Sequence, residues 1–178
     1  MEILRTISLY VEDKGMPFLV IGGHAVNAYG ISRQTGDLDL LVQKSHRSRW
    51  LELFIKLDYQ RGQDDDRFAR FQPKSLAAWP IDLMFVDDKT FEKMLAQAEE
   101  HDFGVVRAKV VSPRHLVTLK LHALKHFQEH RFGKDYSDLI SLLRTKKAVF
   151  FNDELKELCQ RYANNELFDR IVKDLGAI

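Results

Sequence analysis

Two aspartates separated by one residue are the side chains of this sequence that most plainly point to chemistry. Asp37 and Asp39 are interleaved with Leu38 and Leu40 in a segment whose pattern predicts a strand over residues 37–42. Alternate side chains of a strand share a face, so the two carboxylates are expected to project together, about 6 to 7 Å apart. Magnesium prefers such oxygen ligands and keeps substrate phosphate oxygens in its shell. The pair therefore predicts a magnesium site; the alternative interpretation is a half-exposed strand with solvated aspartates.

A double glycine precedes this pair. Gly22 and Gly23 follow an apolar run at residues 18–21, which predicts a strand, and come before a brief helix predicted over residues 24–29. Glycines at such a strand-to-helix turn let backbone amides approach a phosphate closely, where the helix dipole also favours an anion. Arg33, in the loop before the carboxylates, is a candidate to clamp triphosphate oxygens. On the alternative interpretation the glycines form an ordinary turn and the arginine lies on the surface.

These residues resemble a known family. Segments 20–30 and 33–42 are similar to the nucleotidyltransferase superfamily of DNA polymerase β, and more closely to its small bacterial and archaeal members, including the AbiEii-type toxins of toxin–antitoxin systems. The family pattern is an apolar residue, Gly, Gly or Ser, a spacer of about ten residues and Asp-x-Asp. Gly22, Gly23 and the Asp pair match it, and where many members next carry serine this chain has His24. The resemblance implies an α/β nucleotidyltransferase fold, glycines that hold nucleotide phosphates and an Asp pair that holds two magnesium ions.

The resemblance also implies further site residues. A third carboxylate is expected on a strand beside the first two, and Asp82 is the acidic residue in the otherwise apolar run 81–86. Its implied role is to ligate the metal that activates the acceptor hydroxyl and to accept the hydroxyl proton. Lys120 is expected to reach the phosphates from a helix, with Lys134 and Asp135 flanking the site and ordering Lys120 or the acceptor. The alternatives are a water-facing Asp82, a snorkelling Lys120 and an Asp135 that only stabilises a helix N-terminus.

The implied function is magnesium-dependent transfer of a nucleoside monophosphate from a nucleoside triphosphate such as ATP to an acceptor hydroxyl. The acceptor stays open between RNA or tRNA, a protein and a small molecule such as an antibiotic, because the cleft walls that select it leave no motif. For RNA, a basic surface is expected from four arginines: Arg47, Arg49, Arg67 and Arg70. A toxin of this type implies a cognate antitoxin as partner. The alternative within the same fold is a non-catalytic module that binds a nucleotide or a partner protein.

A rival motif lies further along the chain. His126, Glu129 and His130 fit H-x-x-E-H, the inverted zinc-peptidase motif, in which two histidines bind zinc and the glutamate activates water. His122 adds a third histidine on the same helix face. The segment precedes a helix end expected at Gly133, where exposed histidines also interact favourably with the helix dipole. The zinc metallopeptidase interpretation therefore ranks behind nucleotidyl transfer.

Bulk composition limits the setting in which these residues act. A chain of 178 residues with net charge +1 can bury a real core, offers no global polycation for nucleic acid and has no stretch of ~18 apolar residues to enter a membrane. One cysteine, Cys159, fits the reducing cytoplasm. We predict residues 1–111 as the catalytic core and residues 112–178 as a helical part packed on it, or all 178 residues as one domain.

Local patterns predict the elements that must position the site. The sheet is expected to be mixed, with helices on its faces and a helical C-terminal part. Predicted helices cover residues 3–14, 91–100 and 112–127, and Ser45 is expected to cap another. Gly133 is expected to separate the helix over residues 112–127 from a further one over residues 136–143. Strands over residues 67–71 and 81–86 are predicted to form a hairpin-like pair, and the polar run 62–66 before them a loop.

Overall fold

The structure is a computed structural model that describes residues 2–75, 78–125, 129–145 and 150–176, and only the backbone of residues 129–131. Its strands are β1 (Phe18–Val20), β2 (Leu38–Gln43), β3 (Tyr59–Asp64), β4 (Phe68–Pro73), β5 (Ile81–Val86), β6 (Glu99–Asp102) and β7 (Arg107–Val110). Its helices are α1 (Glu2–Val11), α2 (Gly22–Ala28), α3 (Arg47–Lys56), α4 (Asp88–Leu95), α5 (Pro113–Lys125), α6 (Glu129–Arg144), α7 (Asn152–Tyr162) and α8 (Asn165–Leu175).

The strands form one seven-stranded sheet in the order β3-β4-β5-β2-β1-β7-β6. Strand β2 runs parallel to β5 and β1 parallel to β7, while the remaining neighbours are antiparallel. The α/β class with a mixed sheet, antiparallel at both edges, is therefore confirmed. The predicted pairing of the strands that became β4 and β5 is also confirmed.

The central strands are apolar and the edge strand β3 is polar. In β2, Leu40, Leu41 and Val42 are fully buried, as expected for a strand covered on both faces. Five of the six residues of β3 are exposed. The prediction of a loop over residues 62–66 was wrong up to Asp64, because this segment pairs with β4 despite its polarity. Backbone hydrogen bonds to a neighbouring strand, which no local pattern reveals, decide such an edge.

Two helix predictions were also wrong in detail. The helix expected over residues 91–100 ends at Leu95, and Glu99–Asp102 instead forms β6 by pairing with β7. Ser45 was expected to cap the next helix, but its hydroxyl donates to Asp88 Oδ1 at 2.8 Å, and α3 begins without a side-chain cap. In both places a tertiary or cross-strand partner outweighs the local signal.

The chain divides into two compact units, Met1–Ser112 and Pro113–Ile178. The first contains the sheet and helices α1 to α4, and the second contains α5 to α8, with α5 against α6 and α7. The predicted break at Gly133 was wrong, since α6 continues through it. One glycine inside a helix costs only about 1 kcal/mol, which packing can outweigh. None of the helices within the described ranges is long and apolar enough to cross a membrane.

Candidate active site

Three carboxylates meet where β2 and β5 begin. Asp39 of β2 lies directly opposite Asp82 of β5 in the parallel register, and Asp37 immediately precedes β2. One oxygen from each of the three carboxylates lies within 4.8 Å of the others. Asp82 is buried, whereas the other two are partly exposed. The β2–β5 register, with Asp37 just before β2, therefore gathers the three predicted carboxylates into one partly exposed cluster.

Backbone and side-chain hydrogen bonds hold this cluster in place. The Ile21 amide donates to the Asp39 carbonyl at 3.0 Å, and the Leu38 amide donates to the Pro80 carbonyl at 2.9 Å. The Thr35 hydroxyl donates to Asp37 Oδ1 at 2.9 Å. Asp37, which lies just outside the strand, is thus oriented by Thr35 rather than by the sheet alone.

The two glycines of the turn make room for side chains of the site. Gly22 has φ +61°, and a Cβ there would lie 1.9 Å from Asp39 Oδ2. A Cβ on Gly23 would lie 1.8 Å from Arg33 Nη1 and 2.6 Å from the Thr35 hydroxyl oxygen. Any side chain at either position would collide with these groups. The double glycine thus lets a carboxylate and a guanidinium lie directly against the start of α2.

Arg33 is held by a residue that the sequence did not single out. Asn27, on α2, accepts from the Arg33 amide and donates to the Arg33 carbonyl, both at 2.9 Å. This pair of hydrogen bonds closes the loop after the helix and sets where the Arg33 side chain starts. An asparagine near a helix end followed by a polar loop is a weak signal, because such residues serve many turns.

His24 is buried and stacks on Trp79, with ring centroids 4.7 Å apart and an interplanar angle of 15°. Burial lowers the pKa of His24 below its ordinary value, and the charge of Asp37 opposes this effect. His24 Nε2 has no hydrogen-bond partner among the described residues. A neutral imidazole thus occupies the position at which the resemblance led us to expect serine, next to the glycine turn.

Arg70 binds the third carboxylate from the neighbouring strand. It lies directly opposite Asp82 in the antiparallel β4–β5 register, with Nε donating to Oδ1 at 2.7 Å and Nη2 donating to Oδ2. The hydrogen bond to Asp82 raises the pKa of Arg70, burial opposes this shift, and the charges of Asp82, Asp37 and Asp39 add to the increase. From the sequence, Arg70 was expected only to bind RNA. The signal for its place in the site is its position in a strand predicted to pair with β5.

Lys120 and Lys134 belong to the second unit. Lys120 Nζ lies 2.7 Å from both Asp135 Oδ1 and Asp138 Oδ2, and its side chain is only 8% exposed. Lys134 is exposed on α6. Lys120 is therefore a buried ammonium held by two carboxylates within its own unit. Contact of either lysine with nucleotide stays a prediction.

The zinc metallopeptidase alternative depends on side chains that the structure does not describe. His126 lies outside the described residues, and the side chains of Glu129 and His130 do as well. Within the described ranges, the group of three or more ligating side chains that comes together is the aspartate cluster. Three carboxylates and no thiolate or imidazole form a donor set that suits magnesium better than zinc. The clustered oxygens therefore fit the predicted cofactor.

A mixed sheet with two aspartates on neighbouring strands, a third just before one of those strands and a glycine turn beside them is the arrangement expected of a nucleotidyltransferase. The chain belongs to the family described as "Nucleotidyl transferase of unknown function (DUF2204)", which matches residues 1–167, and it is therefore a nucleotidyltransferase. No curated protein matches the chain.

Solved structures share the fold at low sequence identity. A nucleotidyltransferase-like antigenic protein from Paracoccidioides brasiliensis is 16% identical, with a TM-score of 0.61 over 97% of this chain and 87% of that one. ANT(2″)-Ia, in complex with adenylyl-2″-tobramycin, is 11% identical, with a TM-score of 0.62 over 98% of each chain. The lincosamide antibiotic adenylyltransferase LnuA, lincomycin-bound, is 13% identical, with a TM-score of 0.56 over 79% of this chain and 94% of that one. At these identities the likeness shows the fold alone.

Proposed function

We propose that this enzyme transfers a nucleoside monophosphate from a nucleoside triphosphate to an acceptor hydroxyl at Asp37, Asp39 and Asp82. The observation that carries the proposal is the meeting of the three carboxylates, each with an oxygen within 4.8 Å of the others, beside the glycine turn. The acceptor oxygen forms a bond to the α-phosphorus while the bond from that phosphorus to the bridging oxygen breaks. Pyrophosphate leaves, and the hydroxyl proton passes to a carboxylate of the cluster.

The three aspartates would hold magnesium. Asp37 and Asp39 are the proposed ligands of two ions, and Asp82 the third carboxylate, on the side of the acceptor. Magnesium supplies charge stabilisation at the phosphoryl oxygens and activation of the attacking hydroxyl when bound. The contribution of the chain is orientation, since Thr35 fixes one carboxylate of the pair and strand β2 fixes the other.

The phosphates are proposed to lie along the glycine turn. Arg33 is placed there by Asn27, and its guanidinium offers donors for phosphate oxygens. The close approach permitted by Gly22 and Gly23 leaves backbone amides accessible to the same anion. Lys120 and Lys134 remain proposed nucleotide-binding residues.

For the acceptor, a small hydroxyl compound is the first class to test. Two proteins with this fold are named with antibiotics, LnuA with lincomycin and ANT(2″)-Ia with an adenylylated tobramycin. The expected RNA-binding arginines are largely engaged within the chain: Arg47 with Asp64, Arg49 with the Lys14 carbonyl and Arg70 with Asp82. These contacts give less support to RNA as the acceptor than to a small molecule. A role as a toxin with a cognate antitoxin stays a prediction.

The test is transfer of label from the four α-³²P nucleoside triphosphates, with magnesium, to parallel pools of antibiotics, tRNA and protein. Asp37→Asn should abolish transfer and leave the melting temperature near that of the wild type. Asp66→Asn, a change at an aspartate whose side chain is 74% exposed, serves as the matched control and should retain transfer. Full activity in Asp37→Asn would overturn the mechanism. A nucleotide-induced rise in melting temperature without transfer to any pool would favour the binding-module alternative.

A further inference from the structure

A positively charged side chain, that of Arg70, lies in the same cross-strand row of the sheet as two of the carboxylates. The registers place Arg70, Asp82 and Asp39 side by side on β4, β5 and β2. Side chains directly opposite one another on neighbouring strands share a face, so the three charged groups project together. The row ends at the glycine turn, where Gly22 leaves space for the Asp39 carboxylate.

Arg70 binds Asp82 through a bidentate pair of hydrogen bonds, here called the fork. Both Asp82 oxygens accept from the guanidinium, and the Asp82 side chain is 4% exposed, against 36% for Arg70. Such a fork fixes the plane of a carboxylate as well as neutralising it. The Phe68 ring, two residues earlier on the same strand, lies 5.7 Å from the guanidinium carbon. The guanidinium is therefore positioned by its strand, by an aromatic ring and by Asp82 together.

The charges explain why a cation is needed there. Three carboxylates with oxygens within 4.8 Å of one another repel strongly when ionised, and more so for a buried member. Arg70 offsets one of the three negative charges without any metal. It also repels a divalent cation that enters the same cluster.

We infer that Arg70 is the internal counter-ion of the aspartate cluster and a positioning residue for Asp82, and that it competes with the first divalent metal ion for the charge of the cluster. This inference rests on the proposed function, because it concerns the same metal site. It has two consequences of opposite sign. Removing the positive charge should tighten metal binding to the free protein, whereas losing the fork should lower the rate of transfer.

A salt bridge with only a structural role predicts something else. In that case removing Arg70 would loosen the cluster, and metal affinity would fall or stay unchanged. The direction of the change in metal affinity therefore separates the two roles without any assay of transfer.

The experiment is a Mn²⁺ titration, followed by electron paramagnetic resonance, of the nucleotide-free protein at pH 8. Arg70→Gln should bind Mn²⁺ about tenfold more tightly than the wild type, the scale expected for removing one charge close to the ion. Arg70→Lys keeps the charge but not the fork, so its affinity should stay within about twofold of the wild type while transfer falls. Arg47→Gln removes another ion-paired arginine, the partner of Asp64, and should leave the affinity unchanged.

The outcomes separate this inference from the proposed function. A wild type that binds Mn²⁺ and an Arg70→Gln variant that binds it equally or less tightly would overturn the inference alone. If neither protein binds Mn²⁺, the metal site and the inference both fail. If Arg70→Gln does not fold, adding Asp82→Asn should restore folding, because the unpaired buried charge is gone; a double variant that is still unfolded would also overturn the inference.

Discussion

Replacing Gly22 with alanine should disable the active site through Asp39, whereas the same replacement at Gly15 should not. The two glycines have nearly the same backbone conformation, with φ +61° and +58°. A Cβ on Gly22 would lie 1.9 Å from Asp39 Oδ2, while a Cβ on Gly15 would meet nothing within 4 Å. The pair therefore separates the effect of backbone strain from that of the collision.

The expected magnitudes follow from these distances. Ordinary contact begins at 3.4 Å, so the Asp39 oxygen must retreat by 3.4 minus 1.9, or 1.5 Å. Displacing a reacting or ligating group by an ångström reduces turnover about 100-fold. The left-handed conformation itself costs alanine about 1 to 2 kcal/mol, and this cost applies to both variants. Both should lose stability, Gly22→Ala the more because its Cβ would also lie 2.8 Å from Asp39 Cβ, and only Gly22→Ala should lose transfer and Mn²⁺ binding.

Unfolding in urea gives the free energies, and Mn²⁺ titration and nucleotidyl transfer give the function. Both variants should unfold at denaturant concentrations below that of the wild type, and Gly22→Ala at the lower concentration of the two, because only its Cβ collides with Asp39. If Gly22→Ala bound Mn²⁺ and transferred label as well as Gly15→Ala, the close packing of Asp39 on the glycine turn would have no role in the site, and the reasoning would be refuted.

Three further changes test other parts of the structure. Gly23→Ala should raise the KM for nucleoside triphosphate, because a Cβ would lie 1.8 Å from Arg33 Nη1; an unchanged KM would contradict a role for Arg33 in phosphate binding. Lys120→Met should destabilise the protein by about 3 to 5 kcal/mol in urea unfolding, because the buried Asp138 and the partly exposed Asp135 lose their cation; an unchanged midpoint would exclude this role. Burial, then the hydrogen bond to Asp174, raises the pKa of Tyr136 to about 12 from 10.0. As the pH rises, the unfolded chain therefore loses this proton before the folded protein does. The contribution of Tyr136 to the free energy of unfolding is complete below pH 10 and declines towards pH 12, so Tyr136→Phe should show a smaller decline in this range.

Local sequence patterns determined much of the core of this protein. The alternation of Asp37 and Asp39 with leucines predicted that two carboxylates share one strand face, because side chains of a strand alternate by geometry alone. The glycine turn was predictable because a short apolar run, residues 18–21, ends at two glycines, Gly22 and Gly23. The apolar strand around Asp82 was predictable because burial leaves a direct mark on composition.

The local sequence revealed little about which segments pair or pack with distant parts of the chain. The edge strand over Tyr59–Asp64 is polar and was expected to end in a loop, since only its pairing with β4 makes it a strand. Gly133 was expected to end a helix, yet α6 continues through it. Propensity is worth at most about 1 kcal/mol per residue, and contacts with distant parts of the chain exceed it readily.

The aspartates of the site show the same distinction between what local sequence determines and what tertiary contacts determine. The sequence alone determined that Asp37 and Asp39 point the same way. Only the tertiary structure decided that Asp82 lies opposite Asp39 and that Arg70, on the next strand, hydrogen-bonds to Asp82. It also decided that residue 22 must lack a side chain, because the Asp39 carboxylate occupies the space a Cβ would fill. The physical reason is that spacing along one strand is set by covalent geometry, whereas the neighbour across a sheet is set by a register that depends on the whole fold.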